Sequence, residues 1–335
     1  MDENIPLITL VVVCYNGRKW LEPCLRSTAK LRYPDYEVIL VDNASRDSSV
    51  QYVEEYFPWI RVIKNGTNLG YAGGCNIGAK NAKGEIIAFL NQDLKVDPDW
   101  LTYLTLPLQQ EKIGACCGRF LNYDADAATI TKWNFHGISK CQETRMIAGA
   151  AFATRKNVIE KIGLFDPKFF MYYEEVDWSW RLRLAGYKCI YVPDAIAYHW
   201  VGGSNTIIER IVYLNYRNRI RTLIKNCEVR TLLFFVPLIV LEMGGCFLSL
   251  FYHHVTALWF SGSPNKRVNG LILLKGCLKG IVWNITNIGD TLSERRKIQR
   301  IRVNSDKYIK AKEQDFFYWK FLKKMKRKLS FTVNE

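Results

Sequence analysis

An apolar segment runs directly into a polar turn that could bind a metal and a phosphate. Residues 85–90 are mostly apolar, which is typical of a buried strand, and Asn91-Gln92-Asp93 follows at once. In an open α/β sheet, ligands bind beyond the carboxyl ends of the strands, where this turn would lie. A carboxylate held there can bind a divalent metal that also carries a diphosphate. Asp93 is therefore a candidate ligand, although turn carboxylates with a purely structural role are common.

Three further polar segments follow predicted strands. Cys14-Tyr15-Asn16-Gly17 ends the first strand and allows a tight turn close to a ligand. After the second strand, Asp42 could accept a hydrogen bond from a pyrimidine imide or a ribose hydroxyl, while Asp47 would cap the next helix. The glycine-rich segment 68–76 would let a nucleotide approach the backbone, or would simply pack a helix against the sheet. Alone, each of these features also occurs in ordinary turns.

An acidic cluster, Glu174-Glu175-Val176-Asp177, begins a predicted helix. Crowded carboxylates raise one another's pKa, which suits a general base. The alternative is a solvated first turn that pairs with Arg181 and Arg183. Aromatic residues around the cluster favour a pocket instead; they are Tyr172, Tyr173, Trp178 and Trp180.

One histidine, His199, ends a predicted strand shortly before Gly202-Gly203-Ser204. A lone histidine is more often structural than a ligand. If Asp93 binds a metal, however, His199 is its best imidazole partner, because this donor set suits Mg²⁺ or Mn²⁺ bound together with substrate phosphates.

The elements that must position these side chains alternate along the first 120 residues. Strands are predicted at residues 7–13, 36–41, 60–64 and 85–90, and helices at about 20–31, 47–57 and 70–82. This alternation predicts a doubly wound α/β sheet with right-handed crossovers. Further along, we predict helices at 156–162, 174–185 and 207–227, and short strands at 187–192 and 195–199.

Charge divides the chain into two regions, 1–206 and 207–335. Of its 335 residues 49% are hydrophobic, so a large core is expected. Residues 1–206 contain 23 basic and 23 acidic residues, so their net charge is zero. Residues 207–335 contain the other 24 basic and 9 acidic residues, which is the whole net charge of +15. The ten cysteines do not have the spacing of metal ligands, and we find no signal peptide before the first strand. We therefore expect free thiols in a reducing, cytoplasmic setting.

An apolar segment, residues 231–260, lies within the basic region. Its length would allow a membrane span, but basic residues flank it on both sides, against the positive-inside tendency. Gly244-Gly245 near its middle could form a turn. We therefore expect a re-entrant or interfacial helical hairpin with both ends cytoplasmic; a buried helix pair and a single span are the alternatives.

Taken together, the segments resemble the family 2 glycosyltransferases with the GT-A fold, most closely their rhamnosyltransferase-like branch, over about residues 6–226. Single segments are weak evidence, but their order and spacing jointly are specific. The residues that carry the resemblance are Val11 to Asn16, Val41 to Ser45, Asn68 to Asn76, Asn91-Gln92-Asp93, Ala148 to Ala151, Tyr173 to Asp177, and His199 with Gly203-Ser204.

The resemblance implies an inverting transfer of a sugar from a nucleotide-diphosphate donor, dTDP-rhamnose or a UDP-hexose. Asp93 matches the last residue of the family's Asp-x-Asp metal motif, whose first acid is here Asn91, so Mg²⁺ or Mn²⁺ would be held by Asp93 and His199. Glu175 stands where relatives usually carry the aspartate of a Glu-Asp pair, the catalytic base, and Asp177 remains an alternative. The donor nucleotide is expected against Tyr15, Asn16, Asp42, Asn68, Gly70, Asn76, Asn91 and Gln92, and the sugar and acceptor against Gly149, Glu174 and Trp178.

The resemblance also implies an acceptor, which is a glycan or a polyprenyl-diphosphate-linked sugar. An enzyme held on the cytoplasmic face of the membrane by its apolar segment and basic tail would meet such an acceptor. Two other interpretations are a sugar-nucleotide nucleotidyltransferase and a non-catalytic membrane scaffold. The first lacks its glycine-rich triphosphate loop, and the intact acids at Asp42, Asp93 and Glu175 argue against the second. The basic tail contains no recognisable nucleic-acid-binding module.

Overall fold

The structure is a computed structural model that describes residues 5–123, 139–200, 208–234 and 270–311. Nine described strands form one mixed sheet in the order β3-β2-β1-β4-β8-β6-β9-β5, with β7 paired to β9. The strands are β1 (Ile8–Cys14), β2 (Tyr36–Asp42), β3 (Arg61–Lys64), β4 (Ile86–Asn91), β5 (Leu94–Val96), β6 (Ile113–Asn122), β7 (Gln142–Thr144), β8 (Ala151–Arg155) and β9 (Lys188–His199).

Helices cover both faces of the sheet. One face packs against α1 (Arg18–Thr28), α2 (Ser49–Tyr56) and α4 (Trp100–Thr105). The other packs against α3 (Gly70–Asn81), α5 (Lys156–Ile162) and α6 (Glu174–Leu184). Along β1, alternate residues such as Leu10 and Val11 enter opposite cores, as the two-residue period of a strand requires. The α/β mixed sheet expected from the sequence is thus confirmed.

The parallel half of the sheet follows the predicted alternation, and the second half departs from it. Strand β8 runs antiparallel between β4 and β6, and the strands β5, β6 and β8 were not predicted. Two short strands predicted at 187–192 and 195–199 are one strand, β9, with an irregularity: Gly118 of β6 pairs with Val192, and Arg119 with Ile196. A Cβ on Gly118 would lie 2.0 Å from the Ala195 carbonyl oxygen, so only glycine fits opposite this bulge.

The basic carboxyl-terminal region contributes four described helices: α7 (Ile208–Asn226), α8 (Gly270–Thr286), α9 (Ile288–Arg300) and α10 (Asp306–Ala311). Glycines allow α8 to lie close to α7, since a Cβ on Gly276 would approach Val212 Cγ1 to 2.7 Å and one on Gly280 would approach the Arg217 backbone nitrogen to 3.0 Å. Of the apolar segment 231–260, residues 235–260 lie outside the described residues, as does the 206/207 boundary. No helix in the described part of the chain has the length and apolarity needed to cross a bilayer.

Helix α7 is joined to the sheet domain by buried charges. Arg221 Nε and Lys225 Nζ each lie 2.8 Å from Asp166 Oδ2, and Lys225 Nζ also lies 3.1 Å from Asp177 Oδ2. Burial alone would raise the pKa of Asp166, but the charges of Lys225 and Arg221 outweigh it and hold that pKa below its usual range. From α9, Thr291 and Asp290 accept hydrogen bonds from the same Arg221 guanidinium.

Candidate active site

The carboxyl ends of β1, β2 and β4 meet at one edge of the sheet. Because β1 pairs with both neighbours in parallel, Cys14 lies opposite Asp42, and Val13 lies opposite Asn91. The turns that follow these strands therefore converge, as expected for an open α/β sheet. Two residues in these turns have left-handed backbones, Asn16 (φ 47°) and Ala44 (φ 63°), a strain that is often found at ligand sites.

Side chains fasten these turns to one another. Gln92 accepts a hydrogen bond from the Tyr15 backbone N–H (3.0 Å) and donates to the Tyr15 carbonyl (3.3 Å). The Asn16 backbone N–H donates to Ser45 Oγ at 2.9 Å, and Asn16 Oδ1 accepts from the Arg46 N–H at 2.9 Å. Gln92 and Asn16 thus shape the cleft edge, while the exposed Tyr15 ring remains available to a nucleoside base.

Asp42 lies at the base of this edge. Its carboxylate oxygens accept the Ser45 backbone N–H at 3.3 and 3.1 Å, and the side chain is almost fully buried. The carboxylate thus closes the turn 42–45, at the sheet edge where the sequence analysis expects a nucleoside. One bond from a backbone N–H leaves lone pairs on both oxygens for an imide N–H or a ribose hydroxyl.

Asp93 and His199 come together where β5 begins. Leu94 pairs with His199 across the sheet, and His199 Nε2 lies 3.7 Å from Asp93 Oδ2. Two buried oxygens beside them, Asn91 Oδ1 and Asp93 Oδ1, accept no hydrogen bond from any residue that the structure describes. Buried oxygens without a donor are costly unless a ligand satisfies them, and a divalent cation would do so.

These donors fit Mg²⁺ or Mn²⁺ bound together with substrate phosphates. Such ions are commonly held by one or two carboxylates and complete their coordination with phosphate oxygens and water. Within the described ranges no group of three or more His, Cys, Asp or Glu residues is placed to hold a metal ion. Asp93, His199 and Asn91 are the residues that would hold such an ion at this edge.

The glycine-rich segment 68–76 packs a helix closely against its neighbours, which is one of the two alternatives predicted for it. Asn68 Oδ1 accepts the Gly70 backbone N–H at 2.8 Å at the start of α3. Gly70 has φ +72°, and a Cβ there would lie 2.2 Å from the Phe170 carbonyl oxygen. The Asn76 carboxamide bonds both backbone groups of Phe165, at 2.7 and 3.1 Å. These three residues pack α3 and the turn before it against the 165–170 loop, and their contact with a nucleotide stays a prediction.

Glu174 and Glu175 begin α6 next to Gly149, the residue expected to contact the sugar. A Cβ on Gly149 would lie only 3.0 Å from Glu175 Cβ, so the glutamate packs directly on that glycine. The Tyr71 hydroxyl donates to the Gly149 carbonyl, and the Asn91 N–H donates to the adjacent Ala150 carbonyl at 2.9 Å. A short backbone segment therefore connects Glu175 to the metal-binding edge.

Burial sets the protonation of this acidic pair. It raises the pKa of Glu174 well above its ordinary value, and the neighbouring Glu175 charge raises it further. Burial also raises the pKa of Glu175, against backbone N–H groups at the helix start that lower it. Glu175 is the member of the pair that packs on Gly149, so the geometry favours it as the candidate base.

Asp177 is buried in the ionic cluster rather than directed at the cleft. Its side chain is 0% exposed, and Oδ2 accepts from Arg181 Nε at 2.9 Å and Lys225 Nζ at 3.1 Å. Its Oδ1 accepts from Asn226 Nδ2 at 3.1 Å. A carboxylate enclosed in this way is not open to an acceptor hydroxyl, so the geometry corrects the prediction of Asp177 as a possible base.

Trp178 is likewise a core residue. It is fully buried against Phe152 and Phe165, and its Nε1 donates to the Gly163 carbonyl at 2.9 Å. The prediction that it contacts the sugar or acceptor is corrected accordingly.

Sequence reasoning missed several residues around the site. Trp20 and Trp200 lie 4.8 Å apart between ring centroids beside the metal-binding edge, where the Trp200 N–H donates to the Asp93 carbonyl at 3.1 Å. Tyr71 was also missed, as was Lys225 of α7, which engages Asp177. The Tyr71 hydroxyl had no signal in the sequence, because its partner is the backbone carbonyl of Gly149, in a turn that is distant in sequence.

The amino-acid sequence matches the family model described as Glycosyl transferase family 2 over residues 9–180. The chain belongs to this family. It is similar to the poly-beta-1,6-N-acetyl-D-glucosamine synthase of Staphylococcus epidermidis, with 26% identity over 209 residues, 58% of this chain and 50% of that protein. It thus spans about half the length of that relative. Glycosyltransferase AglE of Haloferax volcanii is 22% identical over 209 residues, 59% of this chain and 68% of AglE.

Solved structures share the fold. S. aureus TarS 1-349 in complex with UDP-GlcNAc superposes with a TM-score of 0.53 at 18% identity, covering 66% of this chain and 67% of that one. The Pyrobaculum calidifontis mannosyltransferase PcManGT, in complex with GDP-Man and Mn²⁺, superposes with a TM-score of 0.50 at 15% identity. This match covers 89% of this chain and 86% of PcManGT. Family and fold thus agree with the family 2 resemblance that the sequence analysis described.

The structural role of Asp177 can be tested by measuring the free energy of unfolding. Asp177→Ala would leave Arg181 and Lys225 buried with an unbalanced charge, and we expect it to lower the free energy of unfolding by about 3–5 kcal/mol. The exposed pair Lys64–Glu54 is the matched control, since Glu54→Ala should cost less than about 1 kcal/mol. Urea unfolding measures both. A stable but inactive Asp177→Ala protein would instead restore Asp177 as the base.

Proposed function

We propose that this enzyme transfers a sugar from a nucleotide-diphosphate donor to a hydroxyl of a glycan or polyprenyl-linked acceptor, with inversion, in the synthesis of cell-surface polysaccharide or glycoconjugate. The observation that carries the proposal is that the half-buried Glu175 packs on Gly149, whose neighbour Ala150 accepts a hydrogen bond from Asn91, at the sheet edge where Asp93 also meets His199. Relatives named as a polysaccharide synthase and solved relatives with bound nucleotide sugars support it.

Several residues of the cleft contribute to this transfer. Tyr15 and Asp42 bind the nucleoside, Asp42 through its free lone pairs, and Gly149, which has no side chain, leaves room for the sugar. Asp93 and His199, with Asn91 Oδ1, would hold Mg²⁺ or Mn²⁺, and a bound cation of this kind would neutralise charge on the leaving diphosphate. Mn²⁺ in the PcManGT structure supports this choice of ion.

Glu175 performs the proton transfer. Its carboxylate removes the proton from the acceptor hydroxyl, and that oxygen attacks the anomeric carbon from the face opposite the diphosphate. The bond to the diphosphate breaks as the new glycosidic bond forms, so the configuration inverts. A buried carboxylate with a raised pKa is a stronger base than a solvated one, which is what a weakly acidic hydroxyl requires.

The donor nucleotide and the metal site can be tested together by thermal shift. We expect one of UDP, dTDP and GDP to raise the melting temperature of the wild type in Mn²⁺, since a ligand at 100 times its Kd adds about 2.7 kcal/mol. Asp93→Ala should remove the metal-dependent part of the rise. The control is Asp194→Ala, which alters an exposed carboxylate in the β9 bulge. No rise with any nucleotide, in a folded protein, would contradict the proposed function.

The role of Glu175 can be tested by an isosteric change. Glu175→Gln cannot accept a proton, so kcat should fall about 10²- to 10⁴-fold with nucleotide affinity unchanged. Release of nucleoside diphosphate from UDP-glucose or dTDP-rhamnose, with octyl glycosides as acceptors, measures it. Because the pKa is raised, wild-type activity should be lost as the pH falls through a value above 4.5. Glu160→Gln, on the exposed face of α5, should keep wild-type rates; equal rates for Glu175→Gln would reject this base.

The surface of α8 and α9 supports a position on the cytoplasmic face of the membrane. The two helices are nearly continuous, because the Asn287 N–H donates to Trp283 and the Thr291 N–H donates to Asn287. At helical spacing along them lies an exposed apolar stripe, with Lys275 and Arg296 near its two ends. The stripe consists of Leu278, Val282, Ile285, Ile288 and Leu292. Apolar side chains flanked by cations suit an anionic lipid surface.

Vesicle co-sedimentation tests this stripe. The wild type should bind vesicles of phosphatidylglycerol and phosphatidylcholine, and Val282→Glu should bind roughly tenfold more weakly, since burying a valine contributes about 1.5 kcal/mol. Leu106→Glu is the control, because Leu106 and Val282 are both 58% exposed. Equal binding of all three proteins, or no binding by the wild type, would contradict the proposal. A lipid-independent dimer that Val282→Glu dissociates would assign the stripe to a second copy.

A further inference from the structure

The segment that leads into the base-bearing helix is strained. Immediately before α6, Phe170, Tyr172 and Tyr173 have left-handed backbones with φ of 65°, 68° and 71°. None of them is glycine, so each conformation is unfavourable unless surrounding contacts impose it. The position of Glu174 and Glu175 therefore depends on what holds this segment.

Helix α7 supplies most of those contacts. Asn218, which is 0% exposed, donates through Nδ2 to the carbonyls of Phe169 (3.0 Å), Met171 (3.0 Å) and Tyr172 (2.6 Å). Arg217 donates to the carbonyls of Lys168 (2.7 Å) and Phe169 (2.6 Å).

Helix α3 completes the set from the other side. The Ala72 N–H donates to the Phe170 carbonyl at 3.1 Å. All five consecutive carbonyls from Lys168 to Tyr172 thus accept a hydrogen bond from α7 or α3. The next carbonyl, that of Tyr173, accepts the Asp177 N–H and begins the α6 hydrogen bonds.

We propose that Asn218 and Arg217 are positioning residues that fix the base Glu175 through the backbone of residues 168–173. They lie beyond residues 9–180, the part of the chain that the family model matches. The inference rests on the proposed function, since it assigns a role toward the same base. Displacing a catalytic group by about 1 Å can cost roughly 10²-fold in rate, so a loosened segment would slow the chemistry more than it weakens donor binding.

Asn218→Ala removes the three donated bonds, and Asn215→Ala is its matched control on the same helix. Among the described residues, Asn215 Nδ2 donates to the Ile211 carbonyl of its own helix at 2.8 Å and to no carbonyl of residues 168–173, so its loss leaves that segment untouched. For Asn218→Ala we expect kcat to fall about 10- to 100-fold. The KM for the donor and the nucleotide-induced thermal shift should stay near wild type. A loosened segment should let water reach Glu175 and lower the pKa that burial had raised. The acid limb of the pH–rate profile should therefore move to lower pH.

A change that only lowered stability would reduce the folded fraction and leave the pH profile and kcat per folded molecule unchanged. If Asn218→Ala does not fold, Asn218→Ser retains one donor and should show the same pattern in weaker form. Wild-type kcat and pH profile in the folded variant would overturn the positioning role alone. A wild type that neither binds a nucleotide nor transfers a sugar would overturn the proposed function, and this assignment with it.

Discussion

The buried ionic cluster of Asp166, Asp177, Arg221 and Lys225 is the constraint on which the rest of the site depends. Removing such charges from water is costly unless each is paired and hydrogen-bonded, and here two carboxylates share two cations with good geometry. The cluster can exist only if α7 lies against α6 and the 166–173 segment. It therefore specifies one docking position for α7, and with it the position of Asn218. Left-handed residues, which cost on the order of 1–3 kcal/mol each, can persist under that constraint.

The active-site edge is built from two kinds of strand pairing. Parallel strands β1, β2 and β4 bring the nucleoside-binding and metal-binding turns together, because their carboxyl ends coincide in register. Antiparallel β8 then returns beside β4 and places Gly149 and Ala150 next to Asn91. A purely parallel sheet would need a crossover to bring another segment to this edge, whereas the antiparallel strand reaches it directly. The mixed sheet thus connects Glu175, the proposed base on α6, to the turn after β4 through Gly149 and Ala150.

Much of the parallel half could be predicted from the sequence, because a continuous apolar run followed by a polar turn is a local signal. The limits of β1, β2, β3 and β4 differ by at most one residue from the predicted ones. Proximity of Asp93 and His199 was also predictable, once both were placed at strand ends. The roles of Asn76, Asp177 and Trp178 were not, because they depend on partners such as Phe165 and Lys225 that are distant in sequence. A carboxylate in a cleft and one in a buried ion pair look alike in sequence.

The same limit applies to the charge of the carboxyl-terminal region. Its excess of basic residues was interpreted as a surface for anionic lipid, yet Arg217, Arg221 and Lys225 are buried and bind carbonyls or carboxylates of the sheet domain. These cations are structural, so net charge overstates what a membrane could meet. Under the proposed membrane contact, the charge that meets lipid would come from exposed positions such as Lys275 and Arg296. One region would then combine two functions: α7 holds the segment that leads to the proposed base, and α8 and α9 present the exposed apolar stripe. Because α8 packs on α7 through Gly276 and Gly280, this stripe and Glu175 belong to one continuous packing arrangement.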